Sequence, residues 1–266
     1  MIINRSFSSS LSNKERFGSL KSLVLLVVIA ILATSNTYAQ ASFETIGGLR
    51  YLIDSDAKTA TLAANNGDEK YSGNIVVPEK VKANDGVEYP VTAFGSNAFK
   101  DCDGLKSITI PSSVTSLGYC CFWGCSGLTN ITIPSSVTYL GECCFYECSG
   151  LTSITIPSSV TSLGEHCFSG CLGLTSITIP SSVTYLGDWC FCDCSGLTSI
   201  TIPSSVPSLG EGCFINCSSL TNITIPSSVT SLGYKCFSYC MAITRIAFTF
   251  NPASSFTSFS VLVLIL

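Results

Sequence analysis

The sequence contains few charged residues and a single histidine. Asp, Glu, Lys and Arg make up 11% of the 266 residues, whereas about a quarter is usual in globular proteins. The net charge of −4 argues against a nucleic-acid partner, because such a protein needs a basic surface. Hydrophobic residues amount to 46%, which excludes a disordered chain. Polar groups without charge must therefore keep the surface hydrated.

The first 39 residues have the organisation of an export signal. A basic leader precedes an apolar run, Leu23–Ala33, and Thr37 and Ala39 are small residues at positions suited to cleavage. The run is shorter than the roughly 20 apolar residues that span a bilayer. We therefore predict a signal peptide at 1–39 and an exported mature chain, with an uncleaved membrane anchor as the alternative.

A 23-residue repeat without insertions or deletions dominates the rest of the chain. Six full units run from Leu105 to Ala242, and a seventh begins at Ile243. A leucine, a proline and a phenylalanine recur in every full unit: Leu105, Leu128, Leu151, Leu174, Leu197 and Leu220; Pro111, Pro134, Pro157, Pro180, Pro203 and Pro226; Phe122, Phe145, Phe168, Phe191, Phe214 and Phe237.

Each unit has the residue pattern of one coil of a solenoid. In the third full unit, alternation and β-branched residues predict a strand at Ser153–Ile156, which Pro157 ends. Gly164 permits a tight corner, and a brief helical turn is predicted around Cys167 and Phe168. Such coils bury their apolar faces only by stacking. The predicted fold class is an α/β repeat, a solenoid with a parallel β-sheet on one face and short helical turns on the other.

The segments that flank the regular repeats complete the predicted architecture. Leu49–Ile53 and Thr59–Ala63 are predicted to form a β-hairpin that caps the first coil. The predicted boundaries are a β capping segment at 40–72, a degenerate first repeat with an insertion at 73–104, the solenoid at 105–248 and an irregular apolar tail at 249–266.

The repeat motif LxxIxIPxxVxxLGxxCFxxCxG resembles the 23-residue leucine-rich repeat of the BspA-like bacterial surface proteins, the Treponema pallidum type. The resemblance covers about Gly73–Phe248, and the lead-in Phe43–Phe99 resembles the N-terminal segment of such proteins from Bacteroides-like bacteria. One departure is systematic, since a cysteine replaces the family's usual alanine before the phenylalanine. The resemblance implies a leucine-rich repeat solenoid that is exported and either stays at the cell surface or is secreted. It also implies a role in adhesion to host proteins or to other cells.

Thirteen of the sixteen cysteines occupy two positions of the repeat, the residue before the phenylalanine and a second position typified by Cys125. Stacked coils place equivalent residues about 4.8 Å apart, which a disulfide tolerates. Cysteine also packs as a small hydrophobe, and Ala98 stands at one of these positions. We favour buried free thiols, with some disulfides as the alternative. Zinc binding is disfavoured, because ladder positions do not converge on one point.

The positions around the Cys-Phe pair vary between repeats and are rich in aromatic and acidic residues. Such residues outside a core are typical of interaction surfaces, although relaxed constraint on exposed positions explains the variation equally well. The candidate binding residues are Tyr119, Trp123, Tyr139, Glu142, Tyr146, Tyr185, Asp188 and Trp189.

The opposite, strand-bearing face is expected to carry stacked rows of Ser, Asn and Thr, of which Ser153 and Thr155 are examples. These nearly uncharged rows suit a glycan or, less well, ice. Threonine is also a favourable residue on any exposed strand, which is the simpler explanation of the rows.

No enzyme is indicated by these residues. His166 is expected to be an exposed bystander, and the acidic residues to form a solvated face rather than a catalytic carboxylate pair. We expect no cofactor and no metal site. The predicted function is that of an exported or cell-surface leucine-rich-repeat binding protein that mediates adhesion or protein–protein interaction. Its predicted partner is an extracellular host protein or another cell's surface protein; the alternative is a carbohydrate-binding or ice-binding solenoid that uses the Ser/Thr rows.

Overall fold

Every regular repeat contains the expected strand in the computed structural model, which describes residues 41–65 and 69–249. The predicted signal peptide, and the predicted tail beyond residue 249, lie outside these residues. Six strands precede the regular repeats: β1 (Ser42–Ile46), β2 (Leu49–Asp54), β3 (Thr59–Ala63), β4 (Gly73–Val76), β5 (Lys80–Lys82) and β6 (Glu88–Phe94).

Each full repeat contributes one main strand and one strand of two residues. The main strands are β7 (Leu105–Thr109), β9 (Asn130–Thr132), β11 (Ser153–Thr155), β13 (Ser176–Thr178), β15 (Ser199–Thr201) and β17 (Asn222–Ile225), followed by β19 (Arg245–Phe248) in the seventh repeat. The short strands are β8 (Ser116–Leu117), β10 (Tyr139–Leu140), β12 (Ser162–Leu163), β14 (Tyr185–Leu186), β16 (Ser208–Leu209) and β18 (Ser231–Leu232).

Main strands pair in parallel, with equivalent residues side by side. Ile154 lies opposite Ile131, and Ile200 opposite Ile177, in a six-stranded sheet of order β19-β17-β15-β13-β11-β9. The predicted parallel sheet is therefore confirmed. The short strands form a second set of parallel ladders, β6-β8-β10 and β12-β14-β16-β18, which the sequence pattern did not predict.

The N-terminal strands continue the second set of ladders. The predicted hairpin is present, since β2 and β3 pair antiparallel with Ile53 opposite Ala60. Strand β3 then pairs in parallel with β6, and β6 with β8. Strands β1–β3 thus lie against the first coil, where a cap would be needed. In the described ranges no helix is long and apolar enough to cross a membrane.

The short helical turns predicted around the Cys-Phe pairs are wrong, since the described residues contain no helix. In the third full repeat, the Cys167 N–H donates to the Gly164 carbonyl at 3.3 Å, as in a tight turn. The Phe168 N–H instead donates to Cys190 of the next coil at 2.8 Å. A helix keeps its N–H bonds within one segment. Alternate N–H groups here bond between coils, and the positive φ of His166, 52°, also prevents helix propagation.

A column of phenylalanines runs through the core. The rings stack with centroids 5.2–5.5 Å apart and planes within 3–5° of parallel, and all are fully buried: Phe99, Phe122, Phe145, Phe168, Phe191, Phe214 and Phe237. Leucine, isoleucine and valine columns surround it. Each coil therefore buries its apolar residues against identical residues of its neighbours.

Hydroxyl groups at the corners link the coils. The Ser136 hydroxyl donates to the Val114 carbonyl at 2.7 Å, and the Ser182 hydroxyl to the Val160 carbonyl at 2.8 Å. The Thr152 hydroxyl likewise donates to the Thr129 carbonyl at 3.0 Å. These neutral groups satisfy backbone carbonyls at positions where a charged side chain is not needed. This use of Ser and Thr accounts for part of the low charge of the chain.

All sixteen cysteines are free thiols in the structure. Six of the seven at the second repeat position donate from Sγ to the phenylalanine carbonyl of the preceding coil, at 2.9–3.2 Å: Cys125, Cys148, Cys171, Cys194, Cys217 and Cys240. Burial raises the pKa of Cys167, which precedes the phenylalanine. A protonated thiol can donate such a bond, whereas a disulfide sulfur cannot.

The phenylalanine column gives a stability prediction. Phe168→Ala should lower the free energy of unfolding by about 3–5 kcal/mol, because it leaves a cavity between two stacked rings. Urea unfolding followed by circular dichroism measures this change. Phe43→Ala is the control, since Phe43 is 54% exposed and should cost about 1 kcal/mol or less. Equal losses from the two variants would contradict a stacked core.

The cysteine ladders give a second prediction. The native chain should resist iodoacetamide near pH 8, because fourteen of the thiols are buried and burial raises the pKa of the two part-exposed ones, Cys143 and Cys192, to about 12. After denaturation without reductant, mass spectrometry should count an adduct on every one of the sixteen cysteines. A count that rises to sixteen only after reductant is added would instead support the disulfide alternative.

Candidate functional site

Four ring side chains form a continuous row outside the core, which we call the aromatic row: Trp123, Tyr146, His166 and Trp189. Trp123 meets Tyr146 edge-on with ring centroids 4.9 Å apart. Tyr146 meets His166 in the same way at 5.6 Å, and His166 stacks on Trp189 at 5.1 Å. The row therefore extends over four consecutive coils.

The backbone holds the aromatic row in place. Trp123 and Tyr146 follow core phenylalanines, whereas His166 and Trp189 precede core cysteines, so the row crosses from one repeat position to another. Trp189 has a positive φ of 51°, which is uncommon for a bulky residue. Its N–H donates to the Glu211 carbonyl at 2.8 Å, which fixes this conformation. Trp189 lies over Gly212, where any side chain would collide with its indole.

His166 is less exposed than the sequence predicts. It is half-buried rather than exposed, and it joins Tyr146 to Trp189. Its Nδ1 is buried and has no hydrogen-bond partner among the described residues. The expectation that this imidazole is exposed is therefore wrong. A sequence signal was available, because His166 holds the same repeat position as Trp189 in the next coil.

The other predicted residues do not belong to the aromatic row. Tyr119, Tyr139 and Tyr185 are exposed to 48%, 53% and 49%. Tyr139 and Tyr185 share one repeat position, which Ser162 occupies in the coil between them. They are therefore about 10 Å apart, twice the spacing of neighbouring strands.

Glu142 and Asp188 belong to a stack of four acidic residues, which we call the carboxylate row: Glu142, Glu165, Asp188 and Glu211. Asp188 Oδ1 accepts the Glu211 N–H at 2.7 Å, and the remaining members lack such a bond within the described part of the chain. Tyr119 and Tyr234 occupy the same repeat position at the two ends. Burial raises the pKa of Tyr185, and the nearby Asp188 and Glu165 raise it further, which places this tyrosine beside the row.

A groove of about 710 Å³ runs along the coils. It is lined by residues that follow the Cys-Phe pair in the repeat, whereas the carboxylate row precedes that pair. Its lining includes the carboxylates of Asp101, Glu147 and Asp193, separated by Gly124 and Gly170. All five of these residues have positive φ, between 57° and 74°. Trp123 Nε1 donates to Glu147 Oε2 at 3.1 Å, so the aromatic row and the groove share a boundary. No sequence pattern predicted this groove.

The strand face differs from the corners in how its hydroxyls are used. Thr132, Thr155, Thr178 and Thr201 are exposed, and within residues 41–65 and 69–249 their side-chain hydroxyls have no hydrogen-bond partner. At the edge of this face, Ser107 donates to Asn74 at 2.8 Å. The central rows of this face are therefore free to contact water or a ligand.

The described residues contain no group of three or more His, Cys, Asp or Glu side chains arranged to hold a metal ion. The single imidazole contacts aromatic rings, and no carboxylate orients it by a hydrogen bond in this part of the chain. The aromatic and acidic side chains of this face can make aromatic and ionic contacts.

Comparison with solved structures finds proteins of the same architecture. The T. pallidum leucine-rich repeat protein TpLRR is 27% identical, covers 75% of this chain and 90% of its own, and has a TM-score of 0.65. The pneumococcal vaccine antigen PcpA is similar in fold, with 15% identity, coverage of 78% and 70%, and a TM-score of 0.57. A Bacteroides ovatus leucine-rich repeat protein has 23% identity, coverage of 77% and 70%, and a TM-score of 0.44. No curated protein sequence matches the chain significantly.

The repeat itself matches a family model. The model of the BspA type leucine-rich repeat region matches in six copies, over residues 86–198 and 144–260. These segments together cover more than half of the 266 residues. They contain all six full repeats and the residues of the aromatic and carboxylate rows. With its 23-residue coils stacked in parallel, the chain belongs to the family of BspA type leucine-rich repeat proteins.

Proposed function

We propose that the chain is an exported, non-enzymatic adhesin-like protein that binds a protein on a host or on another cell through its aromatic row. The family is a repeat scaffold, which supports a role in interaction rather than catalysis. The organisation of residues 1–39 as an export signal supports a site of action outside the cytoplasm.

The observation that carries the proposal is the unbroken contact of four rings at the surface. Tyr and Trp are enriched at the centres of protein interfaces, where they contribute much of the binding energy. Their edge-to-face and stacked contacts hold the rings in one arrangement before a partner arrives. A preformed surface loses less side-chain entropy on binding than a mobile one.

The location of this surface also supports binding rather than packing. Trp123, Tyr146 and Trp189 are half-buried, so each ring keeps a face or edge in solvent. None of them is needed to fill the core, which the phenylalanine column already fills. The repeat positions that they occupy carry small or polar residues in other coils, such as Ser169 and Gly212.

A triple variant tests the proposal. Trp123→Ala, Tyr146→Ala and Trp189→Ala together should reduce adhesion to immobilised matrix proteins and to fixed partner cells by about tenfold or more. The purified chain is assayed by surface plasmon resonance and by bead adhesion against the same panel. Because the core is untouched, the urea midpoint should change little.

The matched control removes three side chains from the opposite face: Thr155→Ala, Thr178→Ala and Thr201→Ala. This variant should adhere like the unaltered chain. If the aromatic variant adheres normally to every bound panel member, the proposal is wrong.

The strand face supports the second candidate function, carbohydrate binding or, less well, ice binding. Its free hydroxyls lie in register about 4.8 Å apart, which suits a regular ligand surface. Loss of glycan-array binding or of thermal hysteresis in the threonine variant alone would favour this alternative.

A further inference from the structure

We infer that the aromatic row and the carboxylate row together bind a positively charged, arginine- or lysine-rich segment of a protein partner. This inference rests on the proposed function and specifies the chemistry of the partner. It depends on the placement of charge in the repeats, on the order of the rows across the surface and on a cation already bound at one end of the aromatic row.

The charge of the central coils has one sign. No lysine or arginine occurs between Lys106 and Lys235. The same stretch contains six carboxylates, namely Glu142, Glu147, Glu165, Asp188, Asp193 and Glu211. All six lie in the segments around the Cys-Phe pairs, and the strand face of these coils carries none. The chain therefore supplies no cation to neutralise this surface within the central coils.

Repulsion within the carboxylate row gives a reason to bind a cation. Equivalent residues of neighbouring coils are about 4.8 Å apart. This spacing is shorter than the Debye length of about 8 Å at physiological salt, so neighbouring charges are incompletely screened. Like charges in adjacent positions destabilise a fold slightly. A cationic partner would remove that repulsion and gain electrostatic attraction, whereas an anionic partner would be repelled.

The rows alternate across the surface in an order suited to long cationic side chains. Tyr185 lies on one side of the carboxylate row, near Asp188 and Glu165. The aromatic row follows on the other side, since its members His166 and Trp189 come directly after Glu165 and Asp188 in the chain. The groove carboxylate of Glu147 then contacts Trp123. Rings therefore lie between acidic groups, so a guanidinium can stack on a ring and bond to a carboxylate at once.

One end of the aromatic row already holds a cation. Lys100 Nζ lies 4.0 Å from the Trp123 ring centroid. This contact shows that the row accepts an ammonium group at a ring face. Farther along, Tyr146 and Trp189 have no such cation over them among the described residues. Glu147 lies beside Tyr146, and Asp188 directly precedes Trp189 in the chain. These two rings are the positions where we place side chains of the partner.

The experiment uses the full chain and a fluorescein-labelled arginine nonapeptide, with a glutamate nonapeptide as the negative probe, in fluorescence anisotropy. The arginine peptide should bind, and its affinity should fall by about tenfold or more between about 50 and about 500 mM NaCl. The glutamate peptide should not bind. A lysine nonapeptide should bind more weakly than the arginine peptide, because a guanidinium stacks better on aromatic rings.

Two variants separate specific binding from general attraction. Glu142→Gln, Glu165→Gln, Asp188→Asn and Glu211→Gln together should weaken arginine-peptide binding by about tenfold or more. The control removes the same number of charges from the N-terminal segment, by Glu44→Gln, Asp56→Asn, Glu69→Gln and Glu88→Gln. It should bind within about twofold of the unaltered chain. The aromatic variant described above should weaken binding by about fivefold without a change of charge.

The possible results have distinct meanings. Absence of arginine-peptide binding overturns the inference, as do equal losses in the two charge variants or unchanged binding in the aromatic variant. If adhesion to a panel member still depends on the aromatic row, the proposed function stands without this inference. If the arginine peptide binds as expected but no panel member adheres, the charge chemistry stands and the choice of partner is wrong.

Discussion

Hydrogen bonding between coils in a single register is the constraint on which the rest of the fold depends. A coil of 23 residues cannot satisfy its own backbone groups, so the main strands, the short strands and the Cys-Phe turns each form a ladder with the neighbouring coil. The insertion of the first repeat is looped out as the antiparallel pair of β5 with the start of β6, so that β4 and the end of β6 keep their register with the next coil; an insertion within a ladder strand would break that register. This shared register explains why six repeats keep one length.

Most of the fold, namely the main strands and the core positions, could be predicted from the 23-residue period of the repeat. Ile154 and Phe168 are buried as expected, because alternation and strict recurrence are local signals of strand and core. The turns were mistaken for helices because a bond between residues three apart is common to both structures. Only the neighbouring coil, whose carbonyl accepts the Phe168 N–H, distinguishes them. The two-residue strands are too short to give any pattern of their own.

The candidate site was less accessible to prediction. Comparison between repeats identified Trp123, Tyr146 and Trp189 as variable surface residues. It did not show that they form one row through His166, because the row changes repeat position between Tyr146 and His166 and depends on the reach of their side chains. The carboxylate row could have been found from the cation-free stretch between Lys106 and Lys235. The groove could not, because left-handed backbone at mostly non-glycine positions shapes its wall.

The aromatic row crosses from one repeat position to another, whereas each core column stays at a single repeat position. A change in the number of repeats therefore affects the two differently. Loss of the whole repeat Leu151–Gly173 would leave every core column in register, since equivalent residues would simply meet one coil sooner. The same deletion would remove His166 and bring Tyr146 and Trp189, which occupy different repeat positions, into adjacent coils. Gain or loss of repeats can therefore lengthen or shorten such a protein without disturbing its core, while it breaks the contacts of a surface row that crosses between repeat positions.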